Sequence, residues 1–149
     1  MTSKKLSTSD VSGSDFAIEM LRGDPTFGIN FDRIQYHSEL KKYVIIEYLL
    51  CDEKQFIKNV TPYTSHPNRY WYKNKQKFIS LWKITQELDA ILYLVNYSKI
   101  NTQYSNQVLL MDVKSVDPLN NNPVKTIDHK MTRDGFSNWL RNINKFGQI

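Results

Sequence analysis

The sequence predicts an α/β fold, a mixed β-sheet flanked by helices, and three observations carry that expectation. Two stretches, FDRIQYH (31–37) and KYVIIEYLLC (42–51), are rich in β-branched and aromatic residues and are separated by a short polar turn. A helical stretch over about 75–89 comes next in regular periodicity, followed by AILYLVNY (90–97), a nearly continuous apolar run of the kind covered on both faces. A helix leading from one such strand into another implies a crossover connection, with helices on both faces of the sheet.

The elements are expected in this order. Residues 1–12 are rich in Ser, Thr and Lys and read as a flexible tail ahead of a single domain over 13–149. Ser12 and Asp15 stand at capping-box spacing before DFAIEMLR, a short helix closed by Gly23. DPTFGIN (24–30) reads as a turn leading into a first strand, ahead of the two stronger ones. VTPYTSHPNRYW (60–71) is a loop, because Pro62 and Pro67 interrupt regular structure. In the helix over 75–89, Phe78, Leu81, Trp82 and Leu88 make the apolar stripe. QVLLMDVKSVD (107–117) is a further strand near the sheet edge, and DPLNNNPV (117–124) is a turn cluster. A last helix starts at Thr132, where Phe136, Trp139, Leu140 and Ile143 recur at i, i+3, i+4 and i+7.

Composition narrows the function classes. A chain of 149 residues, 40% hydrophobic and 23% charged, can bury a core and is not of disordered composition. There is no apolar run long enough to span a bilayer and no signal-peptide core near the start, so no membrane partner is expected. One cysteine, Cys51, excludes an internal disulfide and fits a reducing, cytoplasmic setting. Three histidines and that lone cysteine offer no zinc spacing, and neither a nucleophile elbow nor a glycine-rich phosphate loop is present. The net charge is +5, and its distribution says more than its size. From Lys54 to Gln86 there is no acidic residue, while Lys54, Lys58, Arg69, Lys73, Lys75, Lys77 and Lys83 all fall there. The span reads either as a solvated helix face with a lysine-rich loop or as a surface facing phosphates.

Two acids in the hairpin need a reason, because a core strand avoids an unpaired charge. With the turn centred between Glu39 and Leu40, residue numbers facing one another sum to 79, which pairs Tyr36 with Tyr43, Ile34 with Ile45, and Asp32 with Glu47. Directly opposed Cβ atoms lie roughly 4.5–5.5 Å apart. Carboxylates that close repel unless one is protonated or a cation lies between them. Mg²⁺ (or Mn²⁺) meets the requirement, since it takes one or two carboxylates and keeps waters that substrate phosphate can replace. The alternative is that the pair ends the sheet in water, or that the turn is offset and the acids never meet.

An αβββαβ order with an acid early in the second strand, IIEYL at the end of an apolar strand, and the helix KFISLWKITQELDA before ILYLVNY resembles the core of the PD-(D/E)XK nuclease superfamily. The likeness covers about residues 14–98 and is similar to the Holliday-junction-resolvase-like and restriction-endonuclease-like members. It implies a restriction-endonuclease-like core plus a C-terminal strand and helix, acting as a Mg-dependent nuclease on DNA. Position by position it implies Asp32 and Glu47 as metal-binding acids, with Glu19 of the first helix as the additional acid. Junction-cutting members often act as dimers, which leaves a homodimer open, although no segment marks a dimer surface. The motif lysine belongs two residues after Glu47, where this chain has Leu49. Lys77 is the residue expected to supply that cation. Otherwise Leu49 marks a catalytically silent fold that binds nucleic acid or a nucleic-acid-processing protein, or a plain protein-interaction domain.

The literal D-x-K of Asp112 and Lys114 lacks the further helix and strand that the motif requires after it, and reads as an edge strand with a surface ion pair. In the 60–77 region, His66, Arg69, Tyr70, Trp71, Lys73 and Lys75 interleave aromatic and cationic side chains. That combination suits stacking on bases and holding phosphates. The same aromatics could instead pin the loop to the sheet.

Overall fold

The computed structural model describes residues 12–29 and 31–147, so the expected tail, apart from Ser12, lies outside the described residues. Helix α1 (Ser12–Leu21) is followed by strands β1 (Arg33–His37) and β2 (Lys42–Leu50), the short helix α2 (Glu53–Ile57), a 3₁₀ turn (Pro67–Tyr70) and helix α3 (Trp71–Glu87). Strands β3 (Ile91–Tyr97), β4 (Val108–Val116) and β5 (Val124–Met131) precede helix α4 (Arg133–Lys145). The strands form one five-stranded mixed sheet in the order β1-β2-β3-β4-β5. Only β2 and β3 run parallel, joined through α3, and the other pairs are antiparallel.

The hairpin register has Tyr36 opposite Tyr43 and Ile34 opposite Ile45, as the sum rule requires. Its connection is a four-residue turn over 38–41, in which the His37 imidazole accepts the Leu40 N–H at 3.0 Å and Lys41 takes a positive φ of 54°. Because side chains alternate across a strand, Ile45, Glu47 and Leu49 face one way while Val44, Ile46 and Tyr48 face the other. The first face packs on α3: Ile45, Leu92, Leu94, Leu109 and Met111 meet Trp71, Phe78 and Leu81. The second packs on α4, where Val44, Ile46, Val95 and Leu110 meet Phe136, Trp139 and Leu140. The result is a three-layer arrangement of helix, sheet and helix. In α4 the Thr132 hydroxyl accepts the Gly135 N–H at the N-cap, as serine and threonine commonly do.

Four elements differ from the sequence expectation. No strand forms over the described part of 24–30: Thr26 Oγ1 accepts the Gly28 N–H, a side-chain turn that competes with strand pairing, and β1 is the sheet edge. Helix α2 was not expected; Asp52 and Gln55 close a reciprocal capping box that starts it. Helix α3 begins at Trp71 rather than 75, because the 3₁₀ turn that opens at Pro67 feeds directly into it. Strand β5 takes the edge that was expected for β4, so β4 is interior and two strands, not one, follow β3. The Lys114–Asp112 ion pair does form, at 2.9 Å along β4. Among the described residues no helix is long and apolar enough to cross a membrane.

Candidate active site

β1 stops pairing with β2 at Arg33 opposite Ile46, which would leave the next outward N–H of β2, on Tyr48, without a ladder partner. The Asp32 carboxylate takes that place: its Oδ2 accepts the Tyr48 N–H at 2.8 Å. Asp32 is thereby pinned to β2 beside Glu47, the residue that the continued register sets opposite it.

Glu47 lies one residue beyond the last β1 pair, beside Leu94 of β3, on the face covered by α3. It is 2% exposed. A carboxylate so placed requires a partner, and Lys77 provides one from the second turn of α3, its Nζ 2.5 Å from Glu47 Oε1. Among the described residues, Oε2 is buried with no hydrogen-bond partner. Leu49, two residues on, packs into the α3-facing core, so the cation here comes from the helix and not from the strand.

A cavity of about 440 Å³ opens over this arrangement. Asp32 and Glu47 line its floor, Gln76, Lys77 and Ser80 its α3 wall, and the 26–29 segment its remaining side. Asp32, Glu47 and Lys77 therefore share one cavity. Glu19 lines no part of it and sits on α1, which buries no residue.

Burial pushes the Glu47 carboxyl above its ordinary value of 4.5, against the pull of Lys77 and with a further upward push from the Asp32 charge. The folded chain thus holds this proton more tightly than the unfolded chain. The stability this contributes is complete below the ordinary value and is lost as pH rises through the raised one. Glu47→Gln, which removes the buried charge, is therefore expected to raise the melting temperature at neutral pH. The gain should be about 1 kcal/mol, the scale of a typical stabilising substitution. It should shrink as acid protonates Glu47 in both states, and thermal unfolding across pH reads the difference. A Tm that falls at neutral pH would mean that the Lys77 pair outweighs burial.

The residues of the 60–77 region divide. Trp71 is a core residue, 5% exposed, stacked on Phe78 with centroids 6.2 Å apart. Tyr70 is half-buried and tilted against the same ring, and burial pushes its hydroxyl pKa up. His66 caps the 3₁₀ turn, Nδ1 accepting the Asn68 N–H, and so carries its ring proton on Nε2, 2.9 Å from Thr126 Oγ1. Burial lowers its pKa, which favours the neutral ring. These three side chains hold the loop against the sheet. Arg69, Lys73 and Lys75 remain exposed, with Arg69 donating to the Thr64 carbonyl.

Some organising residues had no readable signal. Asn68 pairs its amide with both the N–H and the carbonyl of Val124, anchoring β5. Asn96, buried in β3, donates to the Pro62 and Ser65 carbonyls and ties the loop down. Each acts across a long separation in sequence. Cys51 is buried and its thiol is pushed up to about 11 by burial, which makes it a poor nucleophile.

No known family model, curated protein or solved structure matches this chain.

Proposed function

We propose that this chain is a nuclease-like hydrolase that cuts DNA phosphodiesters with a divalent metal ion, of the PD-(D/E)XK type. The observation that carries the reading is the convergence of Asp32, Glu47 and Lys77 on one cavity, two acids from adjoining strands and a cation from the crossover helix. The parallel β2–α3–β3 unit within a mixed sheet also supports it.

The donor set fits Mg²⁺ or Mn²⁺. Both acids offer hard oxygens, Glu47 Oε2 is a buried oxygen that lacks a donor among the described residues, and Mg²⁺ ordinarily takes one or two carboxylates from a protein. No group of three or more His, Cys, Asp or Glu that could hold a metal occurs among the described residues. Asp32 and Glu47 would hold the ion; when bound, it supplies a water of lowered pKa and offsets charge at phosphorus. Lys77, 42% exposed at its side chain, pulls the Glu47 pKa down against burial on one side and presents its ammonium to the cavity on the other. There it offsets negative charge on a phosphate oxygen, the task that falls to the motif lysine in similar enzymes. Exposed Lys73 and Lys75 on the same helix hold the flanking strand.

A second reading is a silent nuclease-like fold that binds nucleic acid, and Leu49 at the motif-lysine position favours it. Supercoiled and single-stranded DNA incubated with Mg²⁺, Mn²⁺ or EDTA separates the two. Cutting with metal that stops in EDTA supports the enzyme. No cutting in any condition, with affinity that falls steeply as salt rises, supports the binding module.

A further inference from the structure

We propose that Tyr36 and Tyr43 form a base-stacking platform for an unpaired nucleic-acid strand whose phosphate lies at the Asp32–Glu47 site. The inference rests on the nuclease-like reading and extends it to substrate class.

Tyr36 and Tyr43 oppose one another across the hairpin, on the sheet face that also carries Ile45 and Glu47. Their rings lie 5.3 Å apart at 33°, and the residues are 38% and 44% exposed. An aromatic pair left open to water on the covered face of a sheet is a surface for a planar apolar group. Four residues of strand separate Tyr36 from Asp32, about 13 Å at the usual rise. A few nucleotides of an extended strand span that distance.

The wall beside this floor suits a polyanion. Gln76, Lys77 and Ser80 face the cavity, and Lys83, three residues after Ser80 and seven after Gln76, falls on the same side of α3, followed there by Glu87, seven after Ser80. The end of α3 lies beside the start of β2, where Lys42 Nζ is 3.3 Å from Asp89. From Lys77 to Lys83 the helix advances about 9 Å toward the tyrosine end. Lys77 and Lys83 therefore set two cations along this wall, against one carboxylate at Glu87. A second copy of this chain suits the surface less well, because a two-fold contact would bring two copies of the same lysine-bearing wall into one interface.

A duplex keeps its bases stacked inside, so only unpaired bases can use the platform. The test measures binding of labelled oligothymidylate and of a labelled duplex to the whole protein with Ca²⁺ in place of Mg²⁺, so that the carboxylates still have a cation to share with the phosphate. The Tyr36→Ala/Tyr43→Ala chain is expected to bind the single strand about tenfold or more weakly, the scale of lost base stacking. Duplex affinity and the salt slope should hold, and Tyr36→Phe/Tyr43→Phe should stay near the parent. Equal losses on both DNAs, an unchanged single-strand affinity, or a change only in sedimentation mass would overturn the proposal. Cutting by the parent together with unaffected alanine variants sinks this inference alone. Tyrosine-dependent binding without any cutting sinks the nuclease reading and keeps the platform.

Discussion

Replacing Glu47 with glutamine is expected to reduce the proposed metal-dependent DNA cutting by at least about a hundredfold, the scale seen when one charge-stabilising group is lost from an active site. The substitution keeps the shape and removes the charge, so the buried position beside Leu94 of β3 stays filled. Stability should hold or rise, and the pairing of lost activity with undiminished stability separates a functional charge from a structural one. Asp32→Asn should behave similarly in the cutting assay, because the asparagine carbonyl can still accept the Tyr48 N–H and keep the strand end pinned. Lys77→Met should slow cutting and also drive the Glu47 carboxyl further upward, since the cation that now lowers it would be gone. Its activity profile should then move toward higher pH. Parent-like cutting by both acid variants would remove the proposed active site.

Trp71→Ala is the substitution expected to damage the fold most. The indole fills the junction between the 3₁₀ turn and α3, stacked on Phe78 and packed with Leu81 against the sheet. Truncating a buried aromatic to alanine costs about 3–5 kcal/mol, through lost transfer energy and the cavity left behind. For a chain of this size that is a fall of roughly 10 °C or more in Tm. Lys73→Ala and Lys75→Ala, both on the exposed side of α3, should change stability by no more than about 0.5 kcal/mol. Thermal unfolding of the three variants checks the contrast. If Trp71→Ala melted with the parent and lost only DNA affinity, the indole would be a ligand contact rather than a core residue.

The two predictions meet in the 60–77 region, where aromatic and basic residues alternate. Its composition left two readings open, bases stacked on rings or rings pinned to the sheet. Composition cannot choose between them, because a tryptophan buries well in either setting. The structure assigns Trp71 to the core and gives His66 and Tyr70 internal contacts, leaving the cations exposed. The exposed ring pair instead lies in the hairpin, at Tyr36 and Tyr43, where the alternation of a half-covered strand disguised it as ordinary core.

By itself the sequence determined what depends on neighbours along the chain. The hairpin register followed from matching apolar residues about a turn, since a slip by one residue reverses every face. The stripe of α4 and the buried run of β3 were likewise legible from periodicity. Tertiary structure decided what joins distant segments. Strand β5, mostly exposed, shows no buried period and exists because β4 and Asn68 offer its backbone partners. The pairing of Lys77 with Glu47 was decided in the same way: the strand set the acid's face, but only the packing of α3 over β2 brought an ammonium to it. Local patterns record which side of an element is apolar. They do not record which other element covers it, and that covering sets the charges that meet in the cavity.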